Sequence, residues 1–294
     1  MDLSRAGDIV HFKTIPCMPS WVISGRPENL EDVAFLSGAA LSHLHLLMAR
    51  DDVHQTLMRA RLTLRAAEAC VKFSGRPERV GDLRDAIHFL RPGDLAGPAG
   101  DIYLSWQRAV ARPVTFKSLQ RAFPTYEAGQ IAEWCAVGQG NPVARAAQVL
   151  ERVLAVAPRS ARLALALADA ALAQALGWRH ITPLFAIGLK PADLRKLGTE
   201  LEGACHQAVR VACIEAARLA ADLLRKTAHL VAVAPKLRAK GAGEAVEMFL
   251  TRDAVAAAEL PLPPRAARRL CDRLVDLGAV RELTGRDTFR LYGV

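Results

Sequence analysis

Apolar residues recur three and four apart along most of the chain, the spacing that gathers them on one face of an α-helix. Val33, Leu36, Ala40, Leu44 and Leu47 form the first such stripe, beginning from Glu28. A second helix is predicted from about Val53 to Phe73 with Leu57, Leu64, Ala67 and Val71 inward, and a third over 80–90 with Leu83, Ile87 and Leu90. The segment RPGDLAGPAG (91–100) breaks the periodicity with prolines and glycines. Helices are then predicted at 99–111, 115–122, 127–136, 142–156 and 159–176, the last two a hairpin pinned by Pro158. Residues 178–190 read as an irregular, mostly apolar connection. From Thr199 to Val233 a long helix places Leu201, Cys205, Ala208, Ala212, Ala216, Leu219 and Leu223 on one face. It would span roughly 50 Å before Pro235 ends it, as the spine of a helical body or as a dimer seam. Residues 1–27 carry Pro16, Pro19, Gly25 and Pro27 and predict an irregular arm.

The last 54 residues change character. Residues 241–251 predict a short helix, and Asp253 is placed to cap another over 254–260. After Pro261-Leu262-Pro263 comes PRAARRLCDRLVDLG (264–278), with Pro264 in its first turn and Gly278 at its end. Ala267, Leu270, Cys271, Leu274 and Leu277 make the apolar stripe, and Arg265, Arg268, Arg269, Asp272 and Asp276 the opposite face. Strand-like segments 280–283 and 288–292 flank Thr284-Gly285-Arg286-Asp287, a two-stranded hairpin. Helix, helix, arginine-bearing helix and hairpin is the order of a winged helix-turn-helix, and this segment resembles the recognition helix and wing of bacterial winged-helix regulators. Such a helix enters the major groove by its N-terminal end. Arg265, Arg268 and Arg269 would face base edges there, Arg273 phosphate, and Arg286 at the wing tip a minor groove or the backbone.

Charge sharpens this picture. The formal net charge is +9 and the pI about 9.6. The segment 225–240 holds five basic side chains and no acidic one, whereas 241–294 holds eight of each. The excess is therefore densest in the connector, where Lys236, Arg238 and Lys240 are candidate phosphate contacts. The neutral tail leaves a second reading open, a winged helix that docks protein while Asp272, Asp276, Glu282 and Asp287 pair with its arginines.

Composition excludes other classes. A hydrophobic fraction of 51% excludes a disordered chain, and 5% aromatics favour helices over sheets. The six cysteines are scattered with no CxxC pair, as expected of reduced thiols in the cytoplasm. The N-terminus lacks the apolar run of a signal peptide. The longest apolar stretch, Leu163–Trp178, contains Asp169 and Gln174 and predicts a buried helix rather than a membrane span.

Motifs for catalysis are absent: there is no GxxxxGK[ST], HExxH or GxSxG. His43 and His45 would point about 200° apart on a helix and cannot share a metal ion. Cys205, His206 and Cys213 share the long helix, but His206 is offset from the cysteine face. No metal or cofactor is expected. Arg84, His88 and Arg91 fall i, i+4, i+7 and form a candidate anion site, which Asp85 could instead neutralise. The pentapeptide SGRPE occurs at Ser24–Glu28 and Ser74–Glu78 and is read as a helix-opening preference rather than a duplicated site.

Three separated segments, LRDAIHFLRPGDLAGPAG (83–100), GWRHITPLFAIGL (177–189) and APKLRAKGAGEAVEMFLTRDA (234–254), together with the ending RELTGRDTFRLYGV, resemble the domain of unknown function 1403 family of bacterial proteins, often associated with plasmids and mobile elements. The resemblance runs over about 28–294. It implies a helical body with a helix-turn-helix-like tail and supplies no activity or catalytic residue; His180 lies at a family-typical position.

Together these patterns predict a mostly α protein: an irregular arm (1–27), a multi-helix bundle-like body (28–240) and a C-terminal winged helix-turn-helix (241–294). The expected function is duplex-DNA binding as a transcriptional regulator or mobile-element accessory factor, cytoplasmic, not membrane-bound, with homodimerisation as one role for the body. Two alternatives remain: a helical scaffold whose tail docks a protein partner, and an enzyme with a site near Arg84, His88 and His180.

Overall fold

A computed structural model describes residues 15–294 apart from Pro92, Val137 and Asp287. The first part of the expected arm (1–14), and Asp287 of the expected hairpin turn, lie outside the described residues. The body comprises α1 (Ser20–Ser24), α2 (Leu30–Met48), α3 (Gln55–Phe73), α4 (Val80–His88), α5 (Gly97–Ala111), α6 (Phe116–Ala122), α7 (Ala128–Cys135), α8 (Pro142–Val156), α9 (Ala161–Ala175), α10 (Phe185–Gly188) and α11 (Gly198–Val233). After a 3₁₀ turn at Ala234–Lys236 come α12 (Ala242–Thr251), β1 (Val255–Ala256), a second 3₁₀ turn (Ala257–Glu259), α13 (Pro264–Asp276), β2 (Arg281–Glu282) and β3 (Leu291–Gly293). The protein is mostly helical, with one small sheet near its C-terminal end.

Local chemistry sets many of the boundaries. Asn29 opens α2 by accepting the Asp32 amide at 2.8 Å, while the Asp32 carboxylate accepts the Glu28 amide at 3.0 Å. Asn141 accepts the amides of Val143 and Ala144, with Pro142 at the first helical position of α8. At the far end of α9, Gly177 takes φ 68° and the Trp178 amide donates back to the Ala173 carbonyl at 2.8 Å.

Helix α9 is the centre of the body. Every residue from Leu163 to Ala173 is buried, including Asp169, as its nearly unbroken Ala/Leu run requires. It forms the expected hairpin with α8. Helix α11 packs along α2 and α8 and touches α10, α3 and α12 of its own chain. Its expected inward face is buried except for Leu219, which is half-buried. The apolar core runs without a break into the tail, where Phe249 and Leu274 belong to the same buried cluster as Leu44 and Trp106.

Three segments differ from expectation. The arm contains α1, whose Val22 is fully buried. Arg210 of α11 draws it in: Nε donates to the Val22 carbonyl at 2.7 Å, and Nη2 to the carbonyls of Ile23 (3.0 Å) and Gly25 (2.7 Å). The 178–190 connection contains α10, because buried Asp169 accepts the amides of Leu184 (2.9 Å) and Phe185 (3.2 Å) and so organises its start. Residues 254–260 do not form a helix. Val255 pairs with Tyr292 and Ala256 with Leu291, so β1 adds a third antiparallel strand to the expected hairpin, in the order β1-β3-β2. Asp253 is drawn into a buried ion cluster rather than capping a helix.

Candidate nucleic-acid interface

The tail presents α13 as its polar helix. Ala267, Leu270, Cys271 and Leu274 are buried and Leu277 half-buried, so the apolar stripe faces inward as its spacing requires. Burial pushes the Cys271 thiol up to about 12, which leaves it an inert packing group. Pro264 starts the helix. Gly278 stops it at φ 66°, its amide bonded to the Val275 carbonyl at 2.8 Å. His229 of α11 donates from Nε2 to the Leu277 carbonyl at 2.9 Å and ties this end to the body.

Arg265, Arg268, Arg269 and Arg273 are all exposed. None makes an ion pair with a described residue, although Asp272 and Asp276 lie on the same helix. Glu282 pairs instead with Arg290 at 3.7 Å. Lys236, Arg238 and Lys240 in the connector are likewise exposed, with no ion pair among the described residues.

Arg286, at the tip of the expected hairpin, is placed otherwise. Arg286 forms an ion pair with Asp85 of α4, and its guanidinium lies 5.7 Å over the Phe89 ring. Phe289 meets the edge of the same ring at 5.7 Å. Arg286 is thus held against the body rather than projecting freely. Phe289 adopts φ 57°, unusual for a bulky residue, in the bend that brings it there.

A buried ion cluster joins tail and body. Arg84 donates to the Asp253 carboxylate twice, from Nε at 2.6 Å and Nη2 at 3.1 Å. Arg61 Nε lies 2.7 Å from Oδ1 of the same carboxylate, and Arg61 Nη2 donates to the carbonyls of Asp253 (3.1 Å) and Val294 (2.9 Å). All three side chains are buried. The expected anion stripe is therefore dispersed. Arg84 belongs to this cluster, His88 pairs with Glu259 at 3.3 Å, and only Arg91 remains exposed, its amide bonded to Asp94. The hydrogen bond from His88, with help from Arg252, holds the Glu259 carboxyl below its ordinary range.

Sequence reasoning missed the Arg61–Asp253–Arg84 cluster, yet one signal was present. Arg61 falls between Leu57 and Leu64 at i+4 and i+7, squarely on the inward stripe of α3. An arginine on a buried face requires a counter-ion.

The remaining candidates have packing roles. His45 accepts the Trp178 indole N–H at 2.8 Å, and His206 meets Ser37 at 2.6 Å. Among the described residues no three metal-ligating side chains cluster, and no helix is long and apolar enough to cross a membrane.

The chain belongs to the family described as protein of unknown function (DUF1403), whose model matches residues 8–294. No curated protein sequence matches it.

Proposed function

We propose that the protein binds duplex DNA through α13, with the 236–240 connector on the phosphate backbone. The observation that carries this reading is the row of exposed arginines, Arg265, Arg268, Arg269 and Arg273, which make no ion pair among the described residues although two aspartates lie on the same helix. A purely structural helix gains by pairing such charges, whereas a nucleic-acid surface keeps them available. The order of elements is consistent with it: helix, short strand, 3₁₀ turn, exposed helix and two further strands resembles the order of a winged helix with a 3₁₀ turn in place of its second helix, which would give α13 the recognition role. Regulation of transcription, or an accessory role on a mobile element, fits that activity.

The test is quantitative duplex binding by the full chain over a range of salt. Counterion release gives a slope of log affinity on log salt of about −0.9 per phosphate contacted. Arg268→Ala with Arg269→Ala should weaken binding by about 1–3 kcal/mol per lost base contact while leaving thermal unfolding unchanged. Unchanged affinity in the folded double variant overturns the assignment of α13. Sequencing of DNA fragments retained at moderate salt then reports the site, and a palindrome would indicate a dimer.

A second reading has its own observation. The tip of the hairpin already rests on a protein surface, Asp85 of α4 and Phe89 just beyond it, which favours a tail that docks protein. Absence of any gel shift on mixed genomic fragments, with capture of an acidic partner through α13, would select it.

A further inference from the structure

The GWRH turn that follows α9 borders a cavity of about 250 Å³ in which two arginines and two histidines stand among apolar groups. Arg59 of α3, Arg179 and His180 of the turn, and His45 of α2 all line it, together with Gln55 at the start of α3. Among the described residues no acidic side chain lines it.

Helix ends explain part of this gathering. Helices α2 and α9 finish at the cavity rim, and α5 ends close by. Their terminal carbonyls favour positive groups. The Val110 carbonyl of α5 lies 3.2 Å from His180 Nδ1 and can only accept, so that nitrogen carries a proton. Likewise His45 Nδ1 accepts from Trp178, which leaves the ring proton of the neutral imidazole on Nε2.

Two features are left unexplained. Arg59 is half-buried, and its guanidinium has no ion pair or hydrogen bond to a described residue. The Gln55 side chain has both its amide nitrogen and its amide oxygen buried without a partner. A desolvated cation and an unsatisfied amide in one cavity are each costly, and a bound ligand would relieve both. The geometry points to a binding site for a small phosphate-bearing anion, its oxygens taken by Arg59, Arg179 and the Gln55 amide.

The cavity is smaller than those that enclose drug-sized molecules, which suits one tetrahedral oxyanion with a short substituent. Arginine is the residue that offers paired donors to such a group. Burial first, then Arg59 and Arg179, hold the His180 imidazolium below its ordinary range, opposed by the Val110 and Arg112 carbonyls. An anion between these cations reverses the repulsion and favours the protonated ring. The site is independent of the DNA reading, since it shares no residue with α13 or the connector.

The test is titration of the full chain with inorganic phosphate at constant ionic strength, against sodium chloride as control. Heat and the ring resonances of His180 are followed together. Saturable binding with a shift of His180 towards its protonated form is expected. Arg59→Gln should weaken it at least about tenfold. Arg65→Gln, on the same helix but exposed and paired with Glu215, should leave it unchanged. If Arg59→Gln fails to fold, Gln55→Leu is the second variant and should also weaken binding. Glycerol phosphate run in parallel tells whether the site takes a phosphomonoester or the free ion, either of which supports it. The proposal is overturned by no saturable binding, by undiminished binding in a folded Arg59→Gln variant, or by a His180 response to duplex DNA but not to phosphate.

Discussion

Asp253 offers the sharpest test of how the tail is held. Its carboxylate accepts two hydrogen bonds from Arg84 and sits 2.7 Å from Arg61 Nε, with all three side chains buried. Asp253→Ala removes one negative charge and leaves two buried guanidinium groups facing each other. Breaking a buried ion pair by removing one partner costs about 3–5 kcal/mol, because the surviving charge stays uncompensated. That is a large part of the total of about 5–15 kcal/mol expected for a folded domain. Urea unfolding should therefore show a midpoint well below that of the parent chain, and hydrogen exchange should show β1 and β3 opening before α9. Arg61→Met, Arg84→Met and Asp253→Leu together should recover part of the loss, since apolar replacement of a whole buried ion cluster is often neutral. Recovery stays partial because Arg61 also bonds the Asp253 and Val294 carbonyls. A loss below about 1 kcal/mol for Asp253→Ala would refute the reasoning, since that is the size of an exposed ion pair.

Three further outcomes follow from other parts of the molecule. Burial raises the Asp169 carboxyl to about 8 despite two backbone hydrogen bonds that favour its charged form. The fold therefore prefers the protonated acid, and stability falls as pH rises from about 4, the unfolded value, to about 8. Asp169→Asn should flatten that decline in thermal melts recorded across the window, and an unaltered slope would show another group responsible. A Cβ at Gly188 would stand 2.2 Å from the Ala208 carbonyl oxygen, so Gly188→Ala should force α10 off α11 and cost about 1–3 kcal/mol in chemical unfolding. Asp85→Ala breaks a half-exposed pair and should change stability by less than about 1 kcal/mol. It should also raise duplex affinity by releasing Arg286, and unchanged affinity would show that the wing takes no part.

The helices were legible because their signals are local. Stripes at three- and four-residue spacing placed α2, α3, α8, α9 and α11 to within a few residues, and Pro264 and Gly278 bracketed α13. What escaped depends on contacts remote in sequence. Helix α10 is organised by Asp169, fifteen residues earlier, and α1 by Arg210, 188 residues beyond Val22. Strand β1 exists only because Tyr292 and Leu291 return to pair with it, so its two residues carry no periodicity of their own. The candidate interface divides in the same way. Amphipathicity alone placed the exposed arginines of α13. The fate of Arg84 and Arg286 was set by Asp253 and Asp85, acids 169 and 201 residues away in the chain.

That division bears on how the tail could act. The buried ion cluster and the continuous core make α12, β1 and α13 an extension of the body rather than a module swinging on a linker. Motion in such a molecule is drawn from its weakest contacts. Those lie in the hairpin beyond β2, where Arg286 and Phe289 grip α4 through one half-exposed ion pair and two ring contacts. If the tail binds duplex DNA as proposed, the exposed α13 arginines would meet a phosphate backbone without rearrangement, whereas Arg286 would first have to leave Asp85 and Phe89. Binding through α13 alone should then be fast and strongly salt-dependent. Any contribution from the wing should appear as a slower step that Asp85→Ala removes.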